Sequence, residues 1–544
     1  MWSCPRLLTL ISAIVLAGSA AQSATITGTV KGVDGAPFMG AFVEAQNAKT
    51  HITVEVLSDG QGHYRMESLP AGEYRVQIRA VGFSADPRAG VSFTADQNTS
   101  FDFALKKANV RWSDISFYQG MKLFPPAKGK DLLVKDCSIC HEFQTRMAAA
   151  PRDEEGWRDR VEYMRTALKV NVSDEDANDI ASYIASLFGP DAVLPKYASD
   201  MPAYKDTVRT FSSDAMNIVY VEYDMPGPGR MPFSAAPDKD GNFWIPNFGS
   251  ANKITRLDAK TGQMQDFTVP NIGAARVHSV VPAPDGTVWL TEQQSDKLGK
   301  WDPVTQKITE YQDTSRGGKD VEGGGPDRGS KHTVRIARDG KVWASGSPLT
   351  MFDPETEKFT HFDQVGDAYD VKPDKNGDVW FTSPAKNKIG KVNGNTLKVT
   401  MWPSPTPDSF PRRLEIAPDG MIWFDEFNTG KMARFDPQTQ TFKEFTLPGP
   451  DPTPYGMGFD ADGSLWYDSH RQDTFGRVDI QTGKVTEYPF PHSELCAREF
   501  FRDSQGRMWY GSNPNNRVGY FYLTGKNGTL SSSATSSAET LRWQ

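Results

Sequence analysis

Asn376-Gly-Asp-Val-Trp-Phe-Thr382 is one occurrence of a short pattern whose recurrence decides how most of the chain folds. A Gly stands three residues before Trp244, Trp289, Trp343, Trp380, Trp423, Trp466 and Trp509, preceded by Asp, by Asn or, in the last unit, by Gln. The residue just before each Trp is apolar, and each Trp is followed by a second pair of strand-like runs, such as 297–301 and 307–311. Turn residues bounding short apolar runs mark hairpins, and self-similarity at a fixed period marks a repeat architecture. Seven units of about four strands predict a seven-bladed β-propeller over 216–524. The last unit stops near Leu523 without an outer strand. Ile218-Val-Tyr-Val-Glu-Tyr-Asp-Met-Pro226, ahead of the first unit, is expected to supply it, because an open edge invites aggregation.

The same register picks out a ring of side chains. Counting back eleven residues from each Trp gives Phe233, His278, His332, Tyr369, Arg412, Tyr455 and Arg498. These should begin the innermost strands, at the end of each blade that opens to the central channel. The residue three past each Trp (Asn247, Glu292, Gly346, Ser383, Glu426, Ser469 or Ser512) should return beside it. On this reading His278 meets Glu292, Arg412 meets Glu426 and Tyr455 meets Ser469. An imidazole beside a carboxylate suits acid/base work near neutral pH, and an arginine pair suits a bidentate grip on a carboxylate. His278, Glu292, His332, Arg412, Tyr455 and Arg498 are therefore the candidate catalytic or substrate-binding residues. His470 is expected at the surface, with the edge of the mouth as the alternative, His361 on an outer strand, and His51, His63 and His492 at the surface. The Gly-rich connection 313–331, with Arg328, ends at His332 and reads either as a lid over the mouth or as a surface insertion. Cys496, two residues before Arg498, reads as a buried, inert thiol.

Upstream the pattern changes twice. Residues 25–107 alternate apolar and polar positions between closely spaced turns, the signature of a small β-sandwich. Residues 108–190 switch to a spacing of three and four, predicting helices over 129–143, 156–168 and 173–188, the last capped by Ser173. A linker follows over 191–215. Within the helical stretch lies Cys137-Ser-Ile-Cys140-His141, which reads as a covalent haem c site: two thiols for the haem vinyl groups and His141 as proximal iron ligand. Zinc would need a second ligand pair. Met164 is the candidate distal ligand, ahead of Met147, Met121 and Met201. Met147 is only six residues beyond His141, whereas Met164 follows Trp157 after a turn containing Pro151.

The 544 residues carry 60 Lys and Arg against 68 Asp and Glu, a net charge of -8 that excludes a nucleic-acid partner. The apolar run at 7–17 follows Arg6 and is too short to span a bilayer, which takes ~20 residues. It reads as a secretory signal over 1–24, leaving a mature chain without a transmembrane segment, in the periplasm or secreted. Loss of Arg6 takes the charge from -8 to -9. A Gly/Ser/Thr-rich tail at 525–544 is expected to be disordered.

Three family resemblances follow. Asp59-Gly-Gln-Gly-His-Tyr64 and Leu69-Pro-Ala-Gly-Glu-Tyr74 resemble the carboxypeptidase regulatory-like domain, implying an immunoglobulin-like, non-catalytic sandwich. The helical module with its Cys-x-x-Cys-His resembles a small class I-like cytochrome c domain. Asn387-Lys-Ile-Gly-Lys391, Asp378-Val-Trp-Phe-Thr382 and Thr453-Pro-Tyr-Gly456 resemble the virginiamycin B (streptogramin B) lyase propeller. That resemblance implies elimination with a divalent metal and a histidine base at the mouth. The family's paired histidines occupy the last two blade starts, which here read Thr453-Pro-Tyr455 and Cys496-Ala-Arg498. The leading reading is thus an exported c-type haem protein. Its propeller binds a small, anionic or oxygen-rich substrate for oxidation or electron transfer, with one haem c as acceptor and a periplasmic redox partner. The alternatives are a C–O lyase with an accessory haem domain and a non-catalytic electron carrier or ligand sensor.

Overall fold

The computed structural model describes residues 23–138, 141–167, 170, 172–271, 273–314 and 331–525. Cys140, most of the signal segment, most of the candidate lid and all but one residue of the tail lie outside them. The protein is mainly β, with an immunoglobulin-like sandwich at the N-terminus, a helical module and a propeller. In the sandwich, Ala24–Lys31 pairs with His63–Leu69, and a second sheet runs through Ile52–Leu57, Phe42–Asn47, Gly72–Arg79 and Arg88–Phe93. Alternate residues Ile26, Val43, Ala45, Met66 and Val76 fill the space between the two sheets.

The helical module holds α1 (Phe117–Leu123), α2 (Lys128–Leu132), α3 (Glu154–Ala167) and α4 (Asp174–Phe188). Ser173 caps α4 by accepting from the Asp176 N–H at 3.1 Å. Ile180, Tyr183, Ile184 and Leu187 form its buried stripe. Gly129 lets α2 cross α4 closely, since a Cβ there would fall within Tyr183 and 2.7 Å from the Asp179 carbonyl oxygen. The expected continuous helix over 129–143 is not formed. α2 widens into a π-helical turn over Leu133–Cys137 and stops at Ser138, whose hydroxyl donates back to the Val134 carbonyl at 2.6 Å.

Among the described residues, six blades are separate four-stranded antiparallel sheets. The seventh takes Phe501–Arg502, Met508–Ser512 and Arg517–Leu523 from the C-terminal end of the propeller, and Ile218–Asp224 from before the first blade. This closing strand pairs on its other edge with Ile52–Leu57, so blade seven and the second sandwich sheet form one eight-stranded sheet. The repeat Gly takes positive φ in every unit, from 78° to 91°, which turns the hairpin. Four repeat Trp residues donate their indole N–H to the Asp six residues earlier, at 2.8–3.1 Å, pinning the hairpin to the strand.

Candidate functional site

The seven eleven-back residues lie in one chain of contacts around the channel. The ring of Phe233 meets His278 at 4.9 Å, His278 meets His332 at 3.6 Å, and His332 meets Tyr369 at 4.3 Å between centroids. The Tyr369 and Tyr455 hydroxyls are hydrogen-bonded. Arg498 donates to the Tyr455 hydroxyl at 2.6 Å and lies 4.8 Å from the Phe233 ring, closing the circle. Arg412 packs over Phe427 at 3.7 Å, with Tyr455 and Tyr369 at 5.1 and 5.5 Å.

The expected pairing fails for His278 with Glu292 and for Tyr455 with Ser469. Glu292 is opposite Val277 and Ser469 opposite Pro454, each one residue off, and a bulge follows in both strands. Successive strand residues point to opposite faces, so an offset of one removes the expected pairing. Glu292 instead accepts from Ser295 at 2.9 Å and neighbours Glu310. Burial and that second carboxylate push it up to about 8. Glu426 likewise accepts from Ser404 at 2.6 Å. The residues that do serve the ring stand two past five of the seven repeat Trp residues. Thr291, Ser345 and Thr382 accept from the Ser279, Thr333 and Asp370 N–H groups at 2.9–3.1 Å. Asp425 accepts from the Arg412 and Arg413 N–H groups at 2.6 and 2.9 Å, and Asp468 from Ala497 at 2.7 Å. They fix where each innermost strand begins.

Beneath the ring lies a buried ionic layer that sequence reasoning missed. Arg413 Nη1 reaches Thr333, Glu499 and Asp370 at 3.0, 3.3 and 3.4 Å, and Arg335 pairs with Glu499 at 2.5 Å. Its signal was the same register moved one residue, since Thr333, Asp370, Arg413 and Glu499 each stand ten before a repeat Trp. The two layers differ in charge. The lower one pairs its guanidinium groups with carboxylates. Arg412, by contrast, pairs with no carboxylate among the described residues, although like Arg413 it has two guanidinium nitrogens buried without hydrogen-bond partners. Burial and the nearby guanidinium of Arg413 hold His278 and His332 well below the usual imidazole range, so both are neutral near pH 7. A positive, desolvated mouth with two neutral imidazoles suits an anion whose protons can be moved.

The helical module is docked on this mouth. Glu494, in the last interblade connection, accepts from the Glu142 and Thr145 N–H groups at 3.1 and 2.7 Å. Ser493 donates to the Ser113 carbonyl at 2.6 Å, and Arg471 lies over Phe117 at 5.6 Å. His470, expected at the surface, is fully buried against Ser138, under the field of Arg498 and Arg412. His361 is on an outer strand paired with Asp313 at 2.9 Å, and His51 and His63 are exposed. His492 is not at the surface as expected; it is buried beside Glu222 at 2.6 Å, because the eight-stranded sheet covers it. Cys496 is buried, its thiol pushed up to about 12.

The residues around Cys137 fit a covalently held haem. His141 is half-buried, its Nδ1 bonded to the Glu142 carbonyl at 2.9 Å, which fixes the tautomer that leaves Nε2 as a ligand atom. Burial and Arg146 lower it to about 4, keeping the ring neutral. Cys137 packs on an apolar cluster that includes Phe143, Met147, Trp157 and Ile180. The Trp157 indole N–H and Arg146 Nε are buried without partners, as donors awaiting an acidic group would be. Met147, Met121 and Met201 all join the apolar cluster. Met164 is half-buried on α3.

Fold and site together define a seven-bladed propeller with a polar, cationic mouth facing a helical module. The virginiamycin B lyase family model matches residues 354–538, and that of the carboxypeptidase regulatory-like domain matches 25–106. A streptogramin B lyase structure is 22% identical with a TM-score of 0.51, covering 57% of this chain and 100% of that one. The selenomethionine-substituted virginiamycin B lyase from Staphylococcus aureus is 20% identical with a TM-score of 0.50, covering 56% and 99%. A catalytically inactive histidine-to-alanine variant of that enzyme with quinupristin is equally similar, at 20% and 0.50. None of the curated proteins matches this chain. The likeness is one of propeller fold.

Proposed function

We propose that the chain is an exported c-type haem protein whose propeller mouth binds a small anionic substrate for oxidation, with the haem as electron acceptor. The observation that carries this reading is the docking of the His141 segment on the mouth through Glu494 and Ser493. Cys137 and Cys140 would hold the haem, with His141 and Met164 as the residues that would bind its iron. Once attached, the group supplies a one-electron acceptor whose potential a thioether ligand raises. Arg412 and Arg498 orient the anion. His278 or His332, neutral and desolvated, takes the proton released from the substrate hydroxyl in a one-electron oxidation. The ionic layer below holds the ring rigid, and the helical module keeps water from it.

The test is a pyridine haemochrome assay followed by a substrate screen. One haem c per chain that survives acid-acetone extraction, reduced at its α band by a phenolate with one electron per haem, is the expected result. Haem that extracts would sink it. The propeller's likeness to streptogramin B lyases favours one second reading, a lyase with an accessory haem. Product formation with an unchanged haem spectrum would select that reading.

A further inference from the structure

Away from the mouth, Glu55, Glu222 and His492 bring one ligand atom each to within 4.8 Å of one another, and all three are buried. They come from different parts of the chain. Glu55 is on the sandwich strand Ile52–Leu57, Glu222 on the closing strand, and His492 in the connection that also carries Glu494. Pairing of Tyr220 with Glu55 puts Glu55 and Glu222 on the same face of the shared sheet.

Two features of this cluster call for a cation. Neither carboxylate oxygen of Glu55 accepts a hydrogen bond, although the residue is wholly buried, and His492 Nε2 stands 3.6 Å from its Oε1. A buried carboxyl with both oxygens unpartnered is costly. The second feature is a conflict at His492. Its Nε2 lies 2.6 Å from Glu222 Oε2, which needs a proton on that nitrogen. It also lies 2.9 Å from Arg517 Nη1, a donor, which needs a lone pair there. One ring nitrogen cannot meet both demands.

We propose that Glu55, Glu222 and His492 bind a divalent transition-metal cation that clasps the sandwich to the propeller. A mixed oxygen and imidazole donor set suits Zn2+ or Mn2+. The Nε2 separations of 2.6 and 3.6 Å bracket the roughly 3 Å between neighbouring ligands in such a sphere. Arg517 is at the rim and already holds Asp224 through Nε at 2.7 Å, so its Nη1 can leave the cluster for that carboxylate. Tyr510, donating to Glu222 Oε1 at 2.9 Å, steadies the carboxylate from behind.

The experiment uses the full haem-loaded chain, stripped with a chelator and titrated with Zn2+ or Mn2+, read by calorimetry, elemental analysis and thermal melting. The expected result is one equivalent bound in addition to iron, with a rise in Tm. Glu55→Gln and His492→Gln should each cut affinity by at least tenfold, while His278→Ala leaves it unchanged. A wild-type chain that binds neither ion, or an ion lost with His278→Ala but kept in Glu55→Gln, overturns the proposal. If the Gln variants do not fold, the wild-type stoichiometry and melting shift decide alone.

Discussion

The Glu494 carboxylate accepts from the Glu142 N–H at 3.1 Å, one residue past His141, so the propeller holds the segment that carries the candidate iron ligand. Charge-assisted bonds to main-chain donors contribute about 1.5–3 kcal/mol. Glu494→Ala should cost about that much in a urea melt. It should also slow haem reduction by substrate while leaving the haem content at one per chain. A variant with unchanged reduction kinetics would show that the docking has no part in the chemistry.

Glu292 is a pH-sensitive liability rather than a base at the mouth. Its folded value of about 8 lies above the usual 4.5, so the folded chain keeps a proton that the unfolded chain has released. Stability from this group is therefore lost as pH rises from about 4.5 to 8. Glu292→Gln should flatten the fall in unfolding free energy across that window, with turnover within a few-fold of wild type. An equal slope in both proteins would contradict this.

Arg412 stacks on aromatic rings and pairs with no carboxylate among the described residues, so its charge is available to a ligand. Arg412→Ala should raise KM for an anionic substrate at least ~10-fold with a smaller change in kcat, because uniform binding is lost. Arg412→Lys should not restore it, since a point charge lacks the planar fork that stacks on Phe427. Full rescue by Lys would reduce the role to charge alone.

His278 and His332 are held neutral, so activity that needs an unprotonated imidazole should stay level as pH falls from 7 to 6, below which protonation sets in only at much lower pH. His278→Ala or His332→Ala should lower turnover by ~10²–10⁴ for whichever ring takes the proton. The α band should not move. Both variants remaining within a few-fold of wild type would make these rings packing elements of the mouth.

Gly129 touches Tyr183 where α2 crosses α4. Gly129→Ala should cost about 1–3 kcal/mol through overpacking, and the loosened crossing should show as haem lost on extended purification. Limited proteolysis within the helical module checks it. A stable, fully loaded variant would mean that the crossing can give way.

The repeat unit determined the propeller by itself, because Gly at positive φ and Trp three residues later are local demands that each hairpin meets alone. Closure by residues 218–226 was legible for the same reason, as a missing strand in a counted series. The eleven-back register placed Phe233, His278, His332, Tyr369, Arg412, Tyr455 and Arg498 in one ring, since equal steps along equal blades reach equal depth in the channel. Tertiary structure alone decided their partners. Strand pairing is exact to one residue, and the offset that puts Val277 opposite Glu292 depends on a bulge the pattern does not encode. It also decided that His492 is buried, because the sandwich strand that covers it lies 435 positions or more away in sequence and pairs through main-chain groups that carry no side-chain signature.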